Sequence, residues 1–249
     1  MRPRPELRAG ALSFGAGYRT GMQLVLAILS LPASAAELDA PDADVVIRAG
    51  TLPAATAAAA FESRVSPLSE DERAAMTGVT WREGCPVSLD DLSSVEVSHW
   101  GLDGALHTGR LVVASEQAES IVAVFERLYA ARFPVQSVRP AREFGGDDDA
   151  MMRVNNTSAF NCRPVAGGTR FSDHSFGHAL DLNPLTNPYV RGSRVDPPQG
   201  RAYIDRDPAV PGIVVDGGPA VAAFASIGWK WGGHWRSARD YQHFSATGR

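Results

Sequence analysis

The sequence predicts a small α+β domain. Short apolar strands are interspersed with one clear amphipathic helix, and no dinucleotide-binding glycine fingerprint or phosphate loop occurs. No repeat or heptad is visible either. Hydrophobic residues at 44% and charged residues at 21% are the balance of a globular chain. With an export signal removed, about 210 of the residues remain, enough for one domain, or one domain plus an arm, with a proper core.

Residues 1–36 have the layout of that signal. Arg2, Arg4, Arg8 and Arg19 precede the apolar run from Met22 to Leu31, and Ala33 and Ala35 make a small-x-small cleavage pattern. The run is short for a bilayer, so no stable membrane span is expected in the mature protein. The alternative is a buried helix of the mature fold. Met22 is a second candidate start, which would remove the arginines. Residues 37–80 are Ala-rich with scattered charge and read as an N-terminal arm, leaving 81–249 as the expected main domain. An exported protein located in the periplasm, outside the cell or at the wall follows from the signal. In such a compartment the pair Cys85 and Cys162 favours a disulfide, the alternative being two unpaired buried thiols.

From Gly84 the texture changes. Leu111 to Val113 reads as a strand, and Ser115 offers an N-cap. Ala118, Ile121, Val122, Phe125, Leu128 and Tyr129 then fall on one helical face, which Pro134 stops. Val135 to Val138 can form the next strand, and Gly145 to Asp149 reads as a polar, solvated loop. Asn155 to Pro164 reads as a second loop or extended stretch. In the run 171–184, Gly177 can make a tight turn, after which His178 to Leu182 alternates as a strand with Ala179 and Asp181 on one face. The Pro/Gly-rich stretch 183–218 is long for a loop and is expected to be a rim or lid. Asp216 is placed to cap a short helix over 219–227, ended by Gly228.

The net charge is −4 and no basic stripe occurs, which argues against nucleic acid and against general attraction to an anionic surface. The chemistry lies in six histidines and a few carboxylates. A hydrolytic zinc site takes three protein ligands and leaves a position for water. His174 and Asp181 flank the glycine turn and strand, His243 lies far downstream, and Asp240 stands three residues before it, where a carboxylate can sit beside a metal as a base.

The run Ser172-x-His174-x-x-Gly177-x-Ala179-x-Asp181, followed about sixty residues later by Asp240-x-x-His243-Phe244, resembles the D-alanyl-D-alanine carboxypeptidase family of zinc peptidases. That family includes VanY-type carboxypeptidases and L-alanyl-D-glutamate endopeptidases, and shares its fold with the hedgehog signalling domain. The resemblance spans about residues 82–246. It implies a small antiparallel sheet with flanking helices around Zn2+, held by His174, Asp181 and His243. It makes Asp240 the catalytic carboxylate, one methylene shorter than the Glu of several members, and Arg163 the arginine that steadies the substrate's carbonyl or carboxylate. Ser172 is a candidate for a hydrogen bond within the site and His234 for the substrate groove; His178 is read as packing, and His99 and His107 as structural. Trp229, Trp231 and Trp235 read as core and groove wall.

The implied activity is hydrolysis of peptidoglycan stem peptides by metal-activated water with a carboxylate base. Carboxypeptidase and L-alanyl-D-glutamate-type endopeptidase action both stay open. A non-catalytic zinc-containing wall-binding module is the alternative from another class, against which the presence of Asp240 argues. The expected partner is the stem peptide and the expected state a monomer.

Overall fold

The chain divides into Met1–Ala54 and Ala55–Arg249. The structure, a computed structural model, describes residues 60–165 and 167–248. The expected export signal and residues 37–59 lie outside the described residues. In order, the elements are β1 (Ser63–Pro67), α1 (Glu70–Met76), β2 (Leu92–Trp100), β3 (Leu106–Ala114), α2 (Ala118–Ala130), β4 (Ser137–Val138), α3 (Asp148–Arg153) and β5 (Asn156–Thr157). They continue with β6 (Ala179–Asp181), β7 (Tyr189–Arg191), β8 (Arg194–Asp196), α4 (Pro219–Ala225), β9 (Lys230–Trp231), β10 (Arg239–Asp240) and β11 (His243–Ser245). No helix among the described residues is long and apolar enough to cross a membrane.

The architecture is α+β, with small antiparallel sheets in the orders β1-β2-β3, β10-β7-β8 and β6-β11-β9, and a parallel pair β4-β5. One face of the first sheet supplies Val95, Val97, Leu111 and Val113 to the core; α2 supplies Ile121, Phe125 and Leu128. Leu180, Phe224 and Phe244 close it from the other side, with the Phe224 and Phe244 rings stacked 4.0 Å apart. Full burial of each such side chain contributes about 1.5–3 kcal/mol.

Part of the stretch read as an arm is integral to this domain. β1 pairs along its whole length with β2, and Met76 of α1 is buried in a second apolar cluster with Leu92, Phe160 and Cys162. The domain therefore starts before residue 81, because β1 covers what would otherwise be an open edge of β2. α1 has a full capping box, Ser69 with Glu72.

Local expectations were met unevenly. The apolar face of α2 is as read, but Ser115 is not its cap. Ser115 opens a 3-10 turn, Ser115–Gln117, and its hydroxyl bonds Ser93 Oγ at 2.9 Å. The Gly145 to Asp149 run is not a loop throughout. Asp147 accepts from Ala150 N at 3.0 Å and caps α3, with Asp148 and Asp149 in its first turn, where the helix dipole favours acidic groups. α4 is capped by the Gly218 backbone without a side-chain bond; Asp216 bonds His234 instead.

The stretch 183–218 is a rim and is firmly held. It contains the β7–β8 hairpin and a 3-10 segment, Pro198–Tyr203. Asn183 Nδ2 donates to the carbonyls of Pro134 and Gly212, while its Oδ1 accepts from Gln136 N at 2.9 Å. The Arg206 guanidinium donates to the carbonyls of Thr186, Tyr203 and Val214 and to Asn187 Oδ1, and lies 4.4 Å over the Tyr241 ring. Such satisfied polar networks hold irregular backbone in one arrangement.

Candidate metal and catalytic centre

The floor of the site is main-chain pairing. β6 and β11 run antiparallel with Asp181 opposite His243, so register alone sets two of the three expected ligands side by side. His174 arrives from the 3-10 turn Asp173–Phe176, which Ser172 caps by accepting from His174 N. The turn is reversed by Gly177 at φ 70°, and a Cβ there would lie 2.3 Å from Ala114 N. Only glycine fits this left-handed, tightly packed position.

His174, Asp181 and His243 meet. One ligand atom from each lies within 4.8 Å of the others. The His174 Nδ1–H donates to the Ala159 carbonyl at 2.6 Å. That bond fixes the tautomer and turns the lone pair of Nε2 inward. Nε2 is buried without a hydrogen-bond partner, 3.2 Å from Asp181 Oδ2. Asp181 Oδ1 lies 3.0 Å from His243 Nδ1. Burial disfavours the Asp181 carboxylate, but His174 and His243 outweigh it and hold its pKa far below the usual range. Burial also opposes charge on His243, and Asp181 overrides it and raises that pKa. Two imidazoles and a charged carboxylate, with an orphaned inward nitrogen, fit a divalent ion such as zinc.

Asp240 lies on β10, paired with Tyr189 of β7, and lines the same cavity of about 600 Å³ as the triad. Its Oδ1 is buried and has no hydrogen-bond partner. Burial pushes its carboxyl up to about 7, against the pull of His243; a cation on the triad would lower it again. Gly232 makes room, since a Cβ there would meet Asp240 Cβ at 2.8 Å and His243 Cβ at 3.3 Å.

Arg163 lines the cavity beside the triad. Its backbone is clamped by Ser175 Oγ, which accepts from Arg163 N at 2.9 Å and donates to Arg163 O at 2.8 Å. Its neighbour Cys162 is joined to Cys85 in a disulfide. The guanidinium pairs with Asp148, which also accepts from Asn161 Nδ2 at 2.9 Å. Burial raises the Asp148 pKa, with Arg163 opposing. Ser172 is buried at the cavity wall.

His234 is placed elsewhere. Its side chain is 56% exposed, bonds Asp216 Oδ1 at 2.9 Å, and is not among the residues lining the cavity. His178 bonds Glu116, and His99 stacks on His107; none of the three histidines lines the cavity. Of the tryptophans, Trp235 lines the cavity while Trp229 and Trp231 are in the core. Sequence reasoning passed over Asp148, Tyr189, Arg191, Arg194, Asp196 and Gln242, all on the cavity wall. The Asp147–Asp149 run was visible but offered no clue that its middle member faces Arg163. The hairpin arginines carry no motif.

This arrangement sets three side chains that could hold a metal ion, with a buried carboxylate in the same cavity, in a small α+β domain. Residues 166–246 match the family model described as D-alanyl-D-alanine carboxypeptidase, about a third of the chain and the part that holds His174, Asp181, Asp240 and His243. The resemblance carried by the motif pair is thereby supported over that segment, which is similar to the D-alanyl-D-alanine carboxypeptidase family model. No curated protein and no solved structure matched in the other two comparisons.

Proposed function

We propose that this protein is an exported zinc peptidase that cuts stem peptides of peptidoglycan, with His174, Asp181 and His243 as the metal ligands. The observation that carries the reading is the convergence of that triad with the buried, unpartnered Asp240 in one cavity. Polarisation of the scissile carbonyl and activation of water at neutral pH is the chemistry that zinc supplies when bound. Asp240 takes the proton of the attacking water and returns it to the leaving amine. Arg163, steadied by Asp148, donates to the carbonyl oxygen as negative charge develops there. Trp235 and Tyr189 supply aromatic wall to the same cavity.

The test is metal content by elemental analysis, followed by mass spectrometry of products from purified muropeptides. Asp240→Asn serves as the control. Loss of cleavage with metal retained supports the assignment, and undiminished cleavage removes Asp240 from the mechanism. Binding to insoluble peptidoglycan without any product would favour the wall-binding module instead.

A further inference from the structure

The sheet β10-β7-β8 is a second wall of the cavity, and its register sorts that wall into two rows. Asp240, Tyr189 and Asp196 stand opposite one another across the three strands, and all three line the cavity. Two residues along β7, Arg191 stands directly opposite Arg194 of β8, and both line the cavity as well. Side chains two apart on a strand share a face, and two residues advance ~7 Å. A pair of arginines therefore stands ~7 Å along the wall from the level of Asp240.

Like charges directly opposite on paired strands repel. Arg194 is partly offset by Asp196 at 2.5 Å, but Arg191 has no ion-pair partner among the described residues. The hairpin that presents them is fixed at its tip. Gly192 adopts φ 58°, and Arg201 donates to the Ser193 carbonyl at 2.8 Å. The other acidic groups at the cavity are engaged or lie elsewhere on its wall: Asp148 with Arg163, Asp173 with Thr247, Asp181 between the two histidines, and Asp149 in the first turn of α3. An anion between Arg191 and Arg194 would relieve the repulsion, and paired guanidinium forks suit a carboxylate.

We propose that Arg191 and Arg194 form an anion subsite that binds a carboxylate of the peptide about two residues from the bond that is cut. This deepens, and rests on, the peptidase reading. An extended peptide lying along the hairpin advances about 3.3 Å per residue, which matches the offset between the two rows. The carboxylate is either the chain terminus or the free carboxyl of an acidic residue, and the two sources can be separated.

The experiment uses the full-length zinc-loaded protein and three peptides: a stem pentapeptide, the same peptide with its terminal carboxylate amidated, and the same peptide with its glutamate carboxylate amidated. Hydrolysis and calorimetric binding are both read. One of the two amidations is expected to weaken binding by about tenfold or more in the wild type, from the usual strength of hydrogen bonds to a charged group. The Arg191→Gln, Arg194→Gln double variant is expected to bind all three peptides alike, at the level of the disfavoured amide, with an unchanged melting temperature. Whichever amidation matters names the source. Equal binding of the three peptides by the wild type, or an equal loss on all three in the double variant, overturns the subsite. Carboxylate-dependent binding without hydrolysis would sink the peptidase reading and leave the subsite standing.

Discussion

The floor of the cavity and its rim are built by different means. Across the floor, His243 and Asp181 are set by main-chain pairing of β6 with β11, and His174 by a glycine-reversed turn. The rim, 183–218, has only two three-residue strands, and much of the rest is tied by side chains bonding to carbonyls: the buried Asn183 and Asn187 and the half-buried Arg206. Asn183 and Arg206 themselves sit at φ 46° and 56°, a left-handed region that costs a non-glycine residue and is tolerated here because those bonds over-determine it. A floor set by register can lose one side chain and keep its shape; a rim set by side chains cannot. The difference predicts that substitutions in the floor act on chemistry and that substitutions of the rim's tethering side chains, Asn183, Asn187 and Arg206, act on stability.

The sharpest test of that division is removal of a ligand. His174→Ala or His243→Ala should lower hydrolysis about a thousandfold or more, the scale of several kcal/mol of lost transition-state stabilisation, and should lower bound metal. Circular dichroism should stay near wild type, and unfolding of these variants would break the comparison. Next, Asp240→Asn should cost about 10²–10⁴-fold in kcat, the usual range for a general base, with metal content unchanged. In the metal-free protein the same variant has a second readout. The Asp240 carboxyl is raised to about 7, so the folded state holds this proton where the unfolded chain has lost it. Stability of the metal-free wild type should therefore fall as pH rises from about 4 to 7, and Asp240→Asn should flatten that slope in thermal melts.

In the rim, Arg206→Met should destabilise by about 3 kcal/mol, because the Thr186 and Val214 carbonyls lose their donor and Asn187 Oδ1 keeps only Val214 N. Hydrogen exchange should rise across 183–218 while activity at low temperature changes much less. Loss of activity without faster exchange would make Arg206 part of the chemistry. Replacing both Cys85 and Cys162 by serine opens a loop with a sequence separation of 77 and should cost about 2–5 kcal/mol. The smallest effect is expected for His234→Ala, an exposed residue paired with Asp216, at within about 0.5 kcal/mol and with near-normal kinetics. A large loss of kcat/KM there would return His234 to the substrate groove.

Legibility followed the same division. The helix α2 was readable because 3.6-residue periodicity is a local property, and β6 because alternation around Asp181 is one too. The start of α2 is not legible locally, because Ser115 is bonded to Ser93, in a strand 22 residues away. The Asp147–Asp149 run looked solvated because nothing local records that Asp148 meets Arg163 and Asn161. β1 reads as part of an arm in the sequence because its edge position depends wholly on β2.

From the sequence alone came the donor set, the glycine that turns between its first two members and the carboxylate spaced three residues before the last. Those are covalent spacings and intrinsic backbone preferences, which need no fold to be read. The tertiary structure decided that β6 and β11 pair in the register that brings His243 to Asp181. It also decided that Asp148 faces Arg163 and that two arginines of one hairpin look into the same cavity as Asp240. Contacts of that kind depend on long-range packing and on the dehydration it brings, and no local pattern of residues encodes either.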